Sequence, residues 1–111
     1  MSEPTEQQIK ELIDLYQSRK LDEAEIQAQN LLKQFPDNLT LLNILGVILD
    51  GKGNTEAAIK IYQNALSINE NSPETHFNMG SILHRLGRSN EARISYEKAI
   101  SIKPDFLHAY F

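Results

Sequence analysis

The side chains of this chain best suited to acid–base or metal chemistry are His76, His84 and His108, together with the carboxylate of Asp50. A helical metal site needs two ligands one turn apart, at i and i+4, and no two of these histidines stand at that spacing. Asp50 precedes His84 by 34 residues, which sets the two on adjacent helices of a repeating chain and predicts a structural hydrogen bond between them. A general base would also need an activated nucleophile or a cleft, and the sequence shows neither. With no cysteine there is no disulfide, thiolate metal site or thiol nucleophile. The glycines have packing or turn roles and form no phosphate-cradling loop. The expectation is a chain with no catalytic residue, metal or cofactor. The chemistry that remains is recognition. Asn43 and Asn78 each carry an amide that both donates and accepts, matching the backbone groups of an extended bound segment.

Composition narrows the partners. The 111 residues are 41% hydrophobic, enough for one core in a single domain spanning 1–111. Fifteen acidic against eleven basic residues give a formal charge of -4, and lysine and arginine are nowhere clustered. Nucleic acid and anionic membranes both require a basic stripe that neutralises phosphates, so neither is an expected partner. The polar, partly acidic start from Met1 to Gln8 does not read as a secretory signal. The most apolar run, Leu39 to Leu49, is about half of a bilayer span and is broken by Thr40, Asn43 and Gly46. A soluble, cytoplasmic protein is expected.

The elements that position these residues recur every 34 positions. Gly46 returns as Gly80, Gly53 as Gly87, Tyr62 as Tyr96, Ala65 as Ala99, and Ala24 as Ala58 and then Ala92. Such a period marks stacked helix-turn-helix units, none of which buries its apolar face alone. The interval divides the chain into units 5–38, 39–72 and 73–106, with 107–111 opening a fourth. In the second unit Leu41, Leu42, Leu45, Ile48 and Leu49 keep helical spacing until Gly51-Lys52-Gly53-Asn54 interrupts it; Ala58, Ile59, Tyr62, Ala65 and Leu66 then resume it. The third unit repeats the plan. Ser72-Pro73-Glu74 offers a hydroxyl cap, a proline in the first turn and an acid at the positive helix end. Gly53 and Gly87 suit a left-handed residue between helices, with Asn54 and Ser89 or Asn90 as the expected caps beyond. The small residues Gly46, Gly80, Ala58 and Ala92 let paired backbones approach, and Tyr62 and Tyr96 fill the space one turn further on.

These residues resemble the tetratricopeptide repeat family. Leu42, Leu45-Gly46, Leu49, Ala58 and Tyr62 in the second unit, and His76, Met79-Gly80, Leu83, Ala92, Tyr96 and Pro104 in the third, follow the family pattern. The resemblance implies an all-α, right-handed superhelical solenoid of antiparallel helix pairs that binds a peptide or partner protein along its concave face. The first unit departs from the pattern: Leu12 stands at the glycine position, Ala28 at the aromatic one, and Gln8 and Glu11 replace apolar residues, which reads either as a terminal cap facing water or as a decayed unit with no special role, with the same fold in both cases. At the other end, 107–111 opens a further helix with no polar cap. This predicts that Ile94, Ile100 and Ile102 are poorly covered, that the chain is the N-terminal part of a longer protein, and that copies self-associate through this end.

Helical spacing places Ile9, Ile13 and Tyr16, then Asn43, Val47 and Asp50, then Phe77, Asn78, Ser81, His84 and Arg85 on the concave face that the resemblance implies. The carboxylate clamp of some family members is not evident, since Ile9 and Ile13 fill its places in the first unit and Glu74 adds the wrong sign. Asn78-Met79-Gly80, with Pro104-Asp105-Phe106 and Ala109-Tyr110, is also similar to repeats that precede O-linked N-acetylglucosamine transferases and related bacterial transferases. That resemblance implies that Asn78 holds a substrate backbone in the recruiting arm of a larger enzyme; in the preceding unit Ile44 occupies the matching place and Asn43 is displaced by one. The expected function is a protein–protein interaction scaffold, with the transferase arm and a self-association module as alternatives. If the alanines do set helix separation, Ala58→Leu costs about 1 to 3 kcal/mol through overpacking, measurable as a shift in thermal denaturation.

Overall fold

The computed structural model describes residues 3–105, which form six helices and no strand. They are α1 (Glu6–Gln17), α2 (Leu21–Gln34), α3 (Leu39–Gly51), α4 (Thr55–Ile68), α5 (Pro73–Arg85) and α6 (Ser89–Ile102). Consecutive helices pair as α1–α2, α3–α4 and α5–α6, in agreement with the three units. The start of a further helix in 107–111 lies outside the described residues. Each hairpin packs on the next, and α1, α3 and α5 also touch in series, so the first helices form one layer of the array.

Two different devices start the helices. Every first helix opens on a polar side chain that accepts a backbone N–H: Thr5 from Gln8 at 3.1 Å, Asn38 from Leu41 at 2.9 Å and Ser72 from Thr75 at 3.4 Å. Gln8 in turn accepts the Thr5 N–H at 2.9 Å, so this departure from the repeat pattern completes a capping box. Second helices use no side-chain cap. Before each of them the chain turns through a left-handed residue, Arg19 (φ 63°), Gly53 (φ 87°) or Gly87 (φ 79°). The next N–H, of Lys20, Asn54 or Arg88, then reaches back to the carbonyl of Leu15, Leu49 or Leu83 at 2.9 Å in all three turns. The expected side-chain caps are thereby corrected. Asn54 holds the cap position without a side-chain bond, Arg88 rather than Ser89 or Asn90 holds the next, and backbone groups close the turn.

Inside the second and third hairpins, tyrosine and glycine interlock. A Cβ added to Gly46 would overlap the Tyr62 ring, and one on Gly80 would lie 2.9 Å from Cδ1 of Tyr96. The rings therefore rest on the glycines themselves, not one turn beyond them. Ala58, Ala65 and Ala99 are completely buried and Ala92 nearly so, which fits close helix approach. The first hairpin reverses the sizes. Leu12 and Ala28 occupy the glycine and tyrosine positions, both completely buried, so bulk moves from the second helix to the first and the volume remains filled.

Between its neighbours, α3 buries Leu41, Leu42, Leu45, Gly46, Ile48 and Leu49, which explains its apolar sequence. His76 fills the third-unit place of Leu42, is buried, and forms a 2.7 Å hydrogen bond from Nε2 to the Glu70 carbonyl. Ile94, Ile100 and Ile102 are 48%, 41% and 37% exposed, and Ile94 shares a hollow with Ile59 and Gln63 of α4, on the side of the preceding hairpin. None of the described helices is long and apolar enough to cross a membrane.

Arg19 is the one non-glycine residue with positive φ among the described residues. A left-handed conformation costs a side-chain-bearing residue about 1 to 2 kcal/mol, partly offset by the entropy glycine loses on folding. Arg19→Gly should therefore stabilise the chain by about 0.5 to 1 kcal/mol, read as an upward shift of the urea midpoint at unchanged m-value.

Candidate interaction groove

The layer of first helices contains a groove of about 660 Å³. Ile13 and Tyr16 of α1 form one wall. The other is a stripe of α3, Thr40, Asn43, Ile44 and Val47, at the i, i+3, i+4, i+7 spacing that puts side chains on one helix face. The α4–α5 connection and the start of α5, including Asn71, Pro73, Glu74 and Asn78, close the third side. A shallower hollow lined by Ile9 and Lys10 shares Ile13 and Thr40 with the groove and extends it past the start of α3.

The seam between α3 and α5 is closed by two polar rungs. In the first, Asn43 Nδ2 donates to the Leu39 carbonyl at 3.0 Å and to Thr75 Oγ1 at 2.9 Å, while Asn43 Oδ1 accepts from Asn78 Nδ2 at 3.2 Å. Thr75 is completely buried, and its hydroxyl also meets Ser72 Oγ at 2.8 Å. The network thus ties the cap of α5 to the floor of the groove. Two turns along, an Arg85 guanidinium nitrogen donates to Asp50 Oδ2 at 2.5 Å, and Thr55 Oγ1 donates to Asp50 Oδ1 at 3.3 Å. Both rungs join residues 35 apart. The α1–α3 seam lacks them. Gln8, 35 positions before Asn43, is occupied in its cap, and Leu15, 35 before Asp50, is apolar. That seam is where the groove lies.

The structure therefore gathers Ile13, Tyr16, Asn43, Val47 and Asn78 in one groove, with Ile9 in its extension. Asn43 is an internal joint and not an open donor–acceptor pair, because its amide N–H groups are engaged by Leu39 and Thr75. Asp50 pairs with Arg85 instead of His84, since the cross-seam register is 35 residues and not 34; His84 is exposed. Phe77 is half-buried against Tyr96, with ring centroids 5.6 Å apart and planes at 54°. Neither it nor Ser81, His84 or Arg85 lines the groove. Sequence reasoning missed Leu39, Thr40 and Ile44. The last two lie on the same stripe as Asn43 and Val47, so extending that stripe by one turn finds them. The contribution of the α4–α5 connection has no periodic signal.

Behind this layer the Tyr62 hydroxyl is enclosed. Burial pushes its ionisation well above the ordinary phenol value of 10.0, reinforced by the nearby charge of Asp50 and by Tyr16 and opposed by Arg85. Arg85 itself is held more firmly protonated by its hydrogen bond to Asp50. Among the described residues no three His, Cys, Asp or Glu side chains group so as to hold a metal ion.

A family model described as TPR repeat matches residues 51–87, and one described as Tetratricopeptide repeat matches residues 73–106. The Mus musculus protein O-mannosyl-transferase TMTC3 is 33% identical over 76 residues, 68% of this chain. The chain spans only 8% of that relative. The solved structure of MamA (MSR-1) superposes with TM-score 0.74 at 25% identity, covering 84% of this chain and 53% of the other. The Yersinia enterocolitica secretion chaperone SycD, solved in complex with a peptide of the translocator YopD, superposes with TM-score 0.83 at 23% identity. The coverage there is 95% of this chain and 82% of that one, which shows a shared fold.

The enclosed phenol has a consequence for stability at high pH. Above about pH 10 the unfolded chain releases the Tyr62 proton while the folded chain retains it, so stability falls as pH rises through this range. Urea unfolding between about pH 9 and 11 should show this decline in the wild type and a shallower one in Tyr62→Phe.

Proposed function

Because the chain belongs to the tetratricopeptide repeat family, we propose that it is a protein–protein interaction module that holds an extended segment of a partner in the groove between α1 and α3. The observation that carries this reading is the groove's composition. Apolar walls from Ile13, Tyr16, Leu39, Ile44 and Val47 would receive alternate side chains of an extended strand, and Asn78 would meet its backbone. Asn78 uses one N–H on Asn43; its remaining amide N–H and its side-chain carbonyl have no partner among the described residues. The SycD fold supports the reading as an instance of this architecture solved with a peptide. Catalysis plays no part in it.

A second reading gives the same groove a place in a larger transferase, where it would present polypeptide to a catalytic domain. The identity to TMTC3 supports it. Both readings share the binding step, and only the second adds a chemical step to the captured chain.

Val47→Glu and Ile13→Glu place a carboxylate on either wall at half-exposed positions that the fold does not need dry. In full-length protein each should weaken capture of the partner about tenfold or more, the scale of desolvating a charge against apolar anchors, while circular dichroism and melting temperature stay close to wild type. Binding unchanged in both variants would remove the groove from the interaction. Loss of modification of a partner polypeptide in the same variants would favour the transferase reading.

A further inference from the structure

The groove is uneven in charge, and that unevenness bears on the chemistry of its occupant. Among the described residues that line it, Glu74 carries the one formal charge; no lysine, arginine or histidine is present. Glu74 is exposed and makes no ion pair among the described residues. In the adjoining hollow Lys10 is paired with Asp14 at 3.1 Å, and Glu3 and Glu6 share the lining. Asp50, further along the seam, is already neutralised by Arg85.

The start of α5 points the same way. A helix N-terminus offers unpaired N–H groups and a partial positive charge, which would suit a carboxylate or phosphate on a ligand. Here Ser72 accepts the Thr75 N–H, Pro73 has no N–H to give, and Glu74 places its own carboxylate in the first turn. The Thr75 N–H and the positive end of α5 are thus already met by Ser72 and Glu74.

Resting on the groove reading above, we propose that the preferred occupant is an extended peptide segment with apolar anchors and a lysine or arginine seated at Glu74, and that acidic segments are rejected. The apolar walls supply the affinity, and Glu74 supplies the register and the sign. The described residues that line the groove include no cation to compensate a ligand carboxylate, so an acidic residue there would lose water and meet a like charge.

The test is selection of a displayed random dodecapeptide library on the full chain, with Glu74→Lys, Glu23→Lys and Val47→Glu selected in parallel. Glu23 is an exposed acid of α2 away from the groove, so its replacement changes net charge by the same amount as Glu74→Lys. Wild-type and Glu23→Lys pools should be enriched in apolar residues and about two- to fivefold in Lys and Arg over Asp and Glu, the scale of an exposed ion pair. The Glu74→Lys pool should keep the apolar enrichment and reverse the charge preference. Equal charge composition in the wild-type and Glu74→Lys pools, or equal reversal by Glu23→Lys, overturns the role of Glu74 while leaving the groove in place. Apolar enrichment that survives Val47→Glu, or a wild-type pool with no enrichment, overturns the groove reading and the charge preference with it.

Discussion

A tyrosine ring resting on bare glycine backbone sets how closely the helices of a hairpin approach, and the array depends on that closeness. With Gly46 under Tyr62 and Gly80 under Tyr96, the two helices meet with no Cβ between ring and backbone. The close pair then presents a continuous apolar surface to the next hairpin, which α3 illustrates by burying side chains toward both of its neighbours. Burial of this kind is shared between hairpins, so order in one is conditional on the next.

The groove follows from how the first helices are joined. Polar groups bind α3 to α5 at Asn43–Asn78 and again at Asp50–Arg85. The apolar and cap-forming residues of α1 leave no equivalent links to α3. A seam closed by hydrogen bonds has few vacant polar or apolar groups for another molecule, whereas the seam flanked by Ile13 and Val47 has a cavity and half-covered apolar walls. The same network reaches the buried hydroxyls of Thr75 and Ser72, so the floor of the groove and the cap of α5 are one hydrogen-bonded unit.

Periodicity made the helices and the packing residues legible, because glycine, alanine and tyrosine at a fixed interval have few physical explanations. It made the site only partly legible. The interval between equivalent backbone positions is 34 residues, but side chains that meet across the α3–α5 seam are 35 apart, so Asp50 finds Arg85 and not His84. Asn43 shows a second limit. Its type suggests an open amide, yet a buried threonine 32 residues away engages it, and nothing local in the sequence announces that partner. The starts of the second helices show a related limit: backbone groups satisfy one another there, so Asn54, Ser89 and Asn90 form no side-chain cap.

The exchange of sizes in the first hairpin carries a consequence for how the chain finds its register. Chains of near-identical modules risk pairing a helix with the wrong partner, since each module offers much the same surface. Leu12 matches Ala28 but would collide with Tyr62 or Tyr96, and a glycine helix set against Ala28 would leave a void. The first described hairpin is thus keyed to itself, and a pairing shifted by one module is penalised by shape.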